Sequence, residues 1–85
     1  MTPPEAQALH DRITAAGGWV MWFVISSTAG RFIGRGMVVD HRNGHQEGDD
    51  LVAYALDELR AMLPVGLTRR DRTVMMTADV VETWD

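Results

Sequence analysis

From Trp19 to Val39 the chain reads W-V-M-W-F-V-I-S-S-T-A-G-R-F-I-G-R-G-M-V-V, and this stretch constrains the fold more than any other. Trp19 to Ile25 is an unbroken run of apolar residues rich in aromatic and branched side chains. Such a run fits a strand covered on both faces, or one lying centrally in a small sheet. Arg31 to Asp40 alternates instead: Ile33, Met37 and Val39 share one face with Arg35 among them, and Phe32, Gly34, Gly36 and Val38 share the other. That pattern suits an edge strand, joined to the first by a turn within Ser27-Thr28-Ala29-Gly30-Arg31. Gly34 and Gly36 leave two gaps on one face, where a tryptophan ring from the neighbouring strand or another backbone can approach closely.

A chain of 85 residues supports a single domain, 1–85, whose small core sits near the limit of independent stability. It has no cysteine, so disulfides, thiolate metal sites and cysteine nucleophiles are excluded. The apolar run at Trp19 is too short to cross a bilayer, and M-T-P-P-E-A lacks the basic and apolar regions of a signal peptide. The expectation is a cytoplasmic protein without membrane contact. Net charge is −4, and every cationic side chain is an arginine. Without lysine there is no Schiff base and no P-loop. An acidic chain is also poorly suited to gripping a phosphate backbone, so no direct nucleic-acid binding is expected.

Thr2-Pro3-Pro4-Glu5 carries the signature of a helix start: a threonine cap, proline at the first helical position and glutamate three residues after the cap. Ala6, Leu9, Ile13 and Ala16 recur at helical spacing, and Gly17-Gly18 ends the element, with His10, Asp11 and Arg12 on or beside its polar side. The polar stretch Asp40 to Asp50 reads as a loop of about ten residues, longer than the about 4–6 usual in compact domains. A second helix is expected from a cap at Asp49 or Asp50 to Pro64, with Leu51, Val52, Ala55, Leu56, Leu59, Met62 and Leu63 as its apolar face. Asp79 to Trp84 reads as a terminal strand antiparallel to the first, whereas Thr73 to Ala78 fits no single element. The expected fold is therefore α+β in the order α-β-β-α-β. Its three-stranded antiparallel sheet has order 2-1-3, with the second helix packed on one face.

Three groupings carry polar chemistry. His41 and His45, with Glu47, Asp49 and Asp50 behind them, have residue types and a spacing that a metal ion accepts, although Asn43-Gly44 speaks against the helical backbone that would align the imidazoles. A small metal-dependent module is the alternative reading on this ground. Arg69-Arg70-Asp71-Arg72 is locally basic but has no interleaved aromatic residue, and it suits a solvated turn or a salt-bridged tie to the acidic second helix. The third grouping is acidic. On a helix beginning at Asp50, Asp57 lies almost above Asp50, with Tyr54 between them and Glu58 at the shoulder, while Glu47 and Asp49 precede it. No nucleophile elbow surrounds Ser26 or Ser27, and no carboxylate pair is set in an evident cleft, so no catalytic residue and no cofactor is expected.

The expected function is thus a non-enzymatic interaction protein. Its partner would be a protein with a basic surface, contacted through Glu47, Asp49, Asp50, Tyr54, Asp57 and Glu58, with Arg35 or Trp84 as further anchors. A homodimer joined through the edge strand Arg31 to Asp40 is compatible with either reading.

In size, acidity, absence of cysteine and lack of a catalytic motif, the chain resembles the small inhibitor proteins that phages and mobile elements carry against bacterial defence systems, anti-CRISPR proteins above all. Ala55 to Arg69 and Asp79 to Asp85 are similar to short bacterial and phage proteins of no known function. The first resemblance implies a stoichiometric inhibitor of a nucleic-acid-handling protein such as a CRISPR effector complex, with carboxylates standing where DNA phosphates would lie. It is a likeness of type, without a shared motif, and no binding residue is carried over from it.

Overall fold

The computed structural model describes residues 1–39, 43–70 and 79–85. Within them the chain forms α1 (Pro3–Ala15), β1 (Trp19–Ser26), β2 (Phe32–Val39), β3 (Gly44–Gln46), β4 (Leu51–Ala53), α2 (Leu56–Met62), β5 (Arg69–Arg70) and β6 (Val80–Trp84). It is a small α+β domain with two helices and an antiparallel sheet. The sheet has six strands rather than three: its order is β3-β2-β1-β6-β5, and β4 pairs with the other half of β2. The central three strands keep the expected order, and β6 runs antiparallel to β1.

Local chemistry accounts for α1. The Thr2 hydroxyl accepts from the Glu5 backbone N–H while the Glu5 carboxylate accepts from that of Thr2, which satisfies two N–H groups left open at the helix start. Gly17, at φ +83°, takes the left-handed conformation just beyond the other end. Ala6 and Leu9 are buried against the sheet. His10, which the sequence places on or beside the polar side, is half-buried and accepts a hydrogen bond at Nδ1 from the Trp22 indole N–H at 3.2 Å.

Two expectations fail at the outer edge of β2. That strand is not an edge strand, because β3 covers Met37–Val39 and β4 covers Phe32–Gly34. A homodimer joined by backbone pairing along β2 is therefore excluded. The second helix does not begin at Asp50 but at Leu56, and its N-cap, Ala55, makes no side-chain capping bond. Leu51-Val52-Ala53 alternates buried, exposed, buried, a period of two that serves a strand as well as its apolar content serves a helix. Pairing with β2 decides between them by giving the N–H and C=O groups along its outer edge partners. Part of the expected loop likewise becomes β3. Asp40, His41 and Arg42, and the segment from Asp71 to Ala78, lie outside the described residues.

The core lies between the sheet and the helices. Val20, Trp22 and Val24 of β1 meet Leu51 and Ala53 of β4, Ala6 and Leu9 of α1, and Leu59 and Leu63 at α2. Both helices therefore occupy the Trp22 face of the sheet. Behind α2, Glu82 of β6 is buried and accepts a bidentate pair of hydrogen bonds from Arg60 at 2.9 and 2.8 Å, with the Trp84 indole N–H adding a third at 3.0 Å. These donors hold the Glu82 carboxyl below its usual range, the Arg60 bonds most strongly, against the opposing effect of burial.

Candidate interaction surface

Strand alternation sends the remaining side chains of β1 and β2 to the opposite face. Register pairs Trp19 with Val39, Met21 with Met37, Phe23 with Arg35 and Ile25 with Ile33, and Val52 of β4 stands beside Ile33. None of these apolar residues belongs to the core cluster or packs against it. Met21, Phe23, Ile25, Ile33, Met37 and Val39 are half-buried, while Trp19 and Val52 are 46% and 43% exposed. The Cα extents of 35 × 30 × 20 Å fit two layers, one of helices and one of sheet. Among the described residues, no helix covers this second face.

Among the described residues, the arginines on this face are paired with carboxylates. Arg35 donates from Nε and an Nη atom to the two carboxylate oxygens of Asp50, each at 3.0 Å, and Gln46 donates to Asp50 at 2.9 Å. This bidentate geometry raises the Arg35 guanidinium above its usual range, the hydrogen bonds to Asp50 being the main cause. At the far edge Arg70, which stands in register with Thr83, pairs with Asp85. Thr83 lies opposite Phe23 and is buried, and its hydroxyl has no hydrogen-bond partner among the described residues.

The acidic residues singled out from the sequence do not form one helical ridge. Glu47 is tied to Arg12 of α1 at 2.7 Å and stands 3.5 Å from His45, contacts that lower its carboxyl, Arg12 more than His45. Asp50 is committed to Arg35 and lies before β4. Asp49 and Glu58 are exposed, and the Asp57 side chain is 96% exposed, with Arg60 at 3.5 Å. Tyr54 is 74% exposed in the connection from β4 to α2, and the Arg31 guanidinium stands over its ring at 5.9 Å. The ridge fails geometrically because the expected helix is divided into a strand, a two-residue connection and a shorter helix.

The other groupings fare differently. His45 is exposed on β3, while His41 lies outside the described residues; no group of three or more histidine, aspartate or glutamate side chains is placed for a metal among those described. Arg69 approaches Glu82 at 3.8 Å and Arg70 pairs with Asp85, so these two arginines are tied to the C-terminal strand and its end rather than to the second helix, while Asp71 and Arg72 lie outside the described residues. An open hollow of about 560 Å³ between α1 and the β3–β4 connection is lined by Met1, Glu5, Leu9, Arg12, Glu47 and Gly48. The chain matches no family model, and no curated protein or solved structure matches it. No helix among the described residues is long and apolar enough to cross a membrane.

The sequence reading missed the helix-free face as a surface, although it separated the two sides of β2 correctly. The signal was present in the alternation of Ile33, Arg35, Met37 and Val39. What it lacked was the placement of both helices on the other side.

Proposed function

We propose that this chain is a non-enzymatic protein-interaction module whose docking surface is the helix-free face of the sheet. One observation carries the reading: that face presents Trp19, Phe23, Met21, Met37 and branched aliphatic side chains around a paired arginine. Aromatic residues, methionine and arginine are the types enriched in protein interfaces, and contiguous apolar surface on a small domain marks such sites. The likeness in type to small phage inhibitors agrees with an interaction role. The phosphate-mimic form of that role has weaker support, because Glu47 and Asp50 are spent on internal ion pairs and Asp49, before β4, is set apart from Asp57 and Glu58 on α2.

The test is photocrosslinking in cells, with a crosslinking amino acid replacing Met37 on the face or Val65, which is 80% exposed in the turn after α2. A discrete protein adduct from position 37 but not from position 65 is expected. Absence of any protein adduct at position 37, including one to the chain itself, would overturn the reading.

A further inference from the structure

We propose that Asn43-Gly44 is a site of spontaneous covalent change, at which asparagine becomes isoaspartate and the pairing of β3 with β2 is loosened. This change is independent of what occupies the helix-free face. Asparagine is among the thermolabile side chains, and Asn43 is the only one in the chain. Glycine follows it, and no Asp-Gly pair occurs elsewhere, so the sequence offers one place where a glycine stands next to the reacting side chain. Asn43 is exposed and outside helix and strand, and Gly44 opens a strand whose three residues are all exposed. Among the described residues, and beyond its chain neighbours, the atom nearest to a Cβ built at Gly44 is the Met37 Cε at 3.7 Å. The attacking nitrogen is therefore not crowded by the fold.

The reaction is a ring closure between consecutive residues. The Gly44 amide nitrogen loses its proton to hydroxide and attacks Cγ of Asn43; the N–Cγ bond forms, the Cγ–Nδ2 bond breaks, and ammonia leaves with a proton from solvent. Glycine favours this step, because it has no Cβ beside the nitrogen and its backbone folds back at little cost. Water then opens the succinimide. Attack at Cγ gives aspartate, whereas attack at the backbone carbonyl gives isoaspartate, whose main chain runs through Cβ and Cγ and is longer by one carbon. One water enters, one ammonia leaves, and a carboxylate replaces a neutral amide. The added carbon falls in a sensitive place. Gly44, His45 and Gln46 stand in register with Val39, Val38 and Met37, and position 43 belongs to the connection between the two strands. The geometry of such a connection sets the register of the pair, and a strand of three exposed residues has little else to hold it. Gln46 moves with the strand, and its 2.9 Å bond to Asp50 is lost with the pairing.

The test ages the folded full chain at neutral and at mildly alkaline pH, with a portion in guanidinium chloride as the unfolded reference. Digests are followed by mass spectrometry and by methylation with an isoaspartyl methyltransferase and labelled S-adenosylmethionine. Modification at position 43 should be faster at the higher pH and within about tenfold of the unfolded rate, an opening cost of ~1.4 kcal/mol or less, because the end of an exposed strand frays easily. Gly44 does not take a positive φ and has room for a methyl group, so Gly44→Ala should fold as the wild type does by circular dichroism and react severalfold more slowly. Asn43→Asp adds the same charge on an unaltered main chain. Hydrogen exchange at Met37–Val39 should be faster in the isoaspartyl chain, separated by chromatography, than in Asn43→Asp. A folded chain that reacts more than about tenfold slower than the unfolded one, or no slower with Gly44→Ala, would overturn the site. Equal exchange in the isoaspartyl chain and Asn43→Asp would overturn its effect on β3.

Discussion

Gly36 lies where any larger residue would strike the ring of Trp22: a Cβ at position 36 would sit 2.9 Å from Cη2 and 3.0 Å from Cζ3. The two residues are register partners on neighbouring strands, and Trp22 is fully buried, so the indole has no free space into which to move. Gly34, two residues earlier on the same face, is less tightly confined, with a Cβ there meeting Leu51 and Leu59 side-chain atoms at 3.3 Å.

Gly36→Ala is accordingly expected to destabilise the fold by about 1–2 kcal/mol, an overpacking cost partly offset by the lower chain entropy of alanine. At Gly34→Ala the two effects nearly cancel, leaving stability within about 0.5 kcal/mol of the wild type. Urea titrations followed by tryptophan fluorescence rank the two variants, and equal losses would remove the distinction.

That contact was legible because it follows from strand periodicity alone: glycines two apart open one face, and a tryptophan-rich strand lies next to it. The start of α1 was legible for the same kind of reason, since the Thr2–Glu5 capping box is written within four residues. Leu51-Val52-Ala53 was not, because its apolar residues satisfy a helical stripe and a two-residue alternation equally, and only the distant strand β2 decides. The ion pairs Arg35–Asp50 and Arg60–Glu82 join residues 15 and 22 apart, for which no spacing rule exists. Of the candidate surface, the sequence shows which side chains share a face but not which face the described helices pack against.

The same division of the expected helix separates two carboxylates that sequence spacing had stacked together. Asp50→Arg sets a second guanidinium against Arg35 and removes an acceptor from Gln46, with an expected loss of about 1–2 kcal/mol after allowance for solvent screening at the partly exposed Arg35. Asp57→Arg changes a side chain that is 96% exposed and should cost less. Thermal melts of the two single variants make the comparison. A greater loss from Asp57→Arg would contradict the placement of both residues.

Glu82 gives the stability a defined acid dependence. Its carboxyl lies below the usual value of 4.5 because Arg60 hydrogen-bonds the ionised form. A folded-state value below the unfolded one means that the contribution is complete above about pH 4.5 and is lost as pH falls through the lower folded value. Glu82→Gln should therefore be less stable than the wild type at neutral pH, with the gap narrowing in acid. Glu5 and Glu47 are lowered in the same direction, so the variant keeps part of the acid dependence. Denaturant titrations at pH values on both sides of this range test it, and a gap that does not change with pH would exclude the linkage.

Thr83 offers a change in the opposite direction. Its side chain is 1% exposed between the registers of Phe23 and Arg70, and the hydroxyl has no hydrogen-bond partner among the described residues. A buried hydroxyl that gives up its bonds to water without replacing them costs about 1–3 kcal/mol. Valine has nearly the same shape, suits a strand equally well and carries no polar group to desolvate. Thr83→Val is therefore expected to stabilise the domain by about 1 kcal/mol, less than the full penalty because the methyl must fit a site shaped around an oxygen. A rise in the urea midpoint with an unchanged slope would show this. A fall would mean that the hydroxyl has a partner in the folded protein, and that its burial beside Phe23 is not a cost.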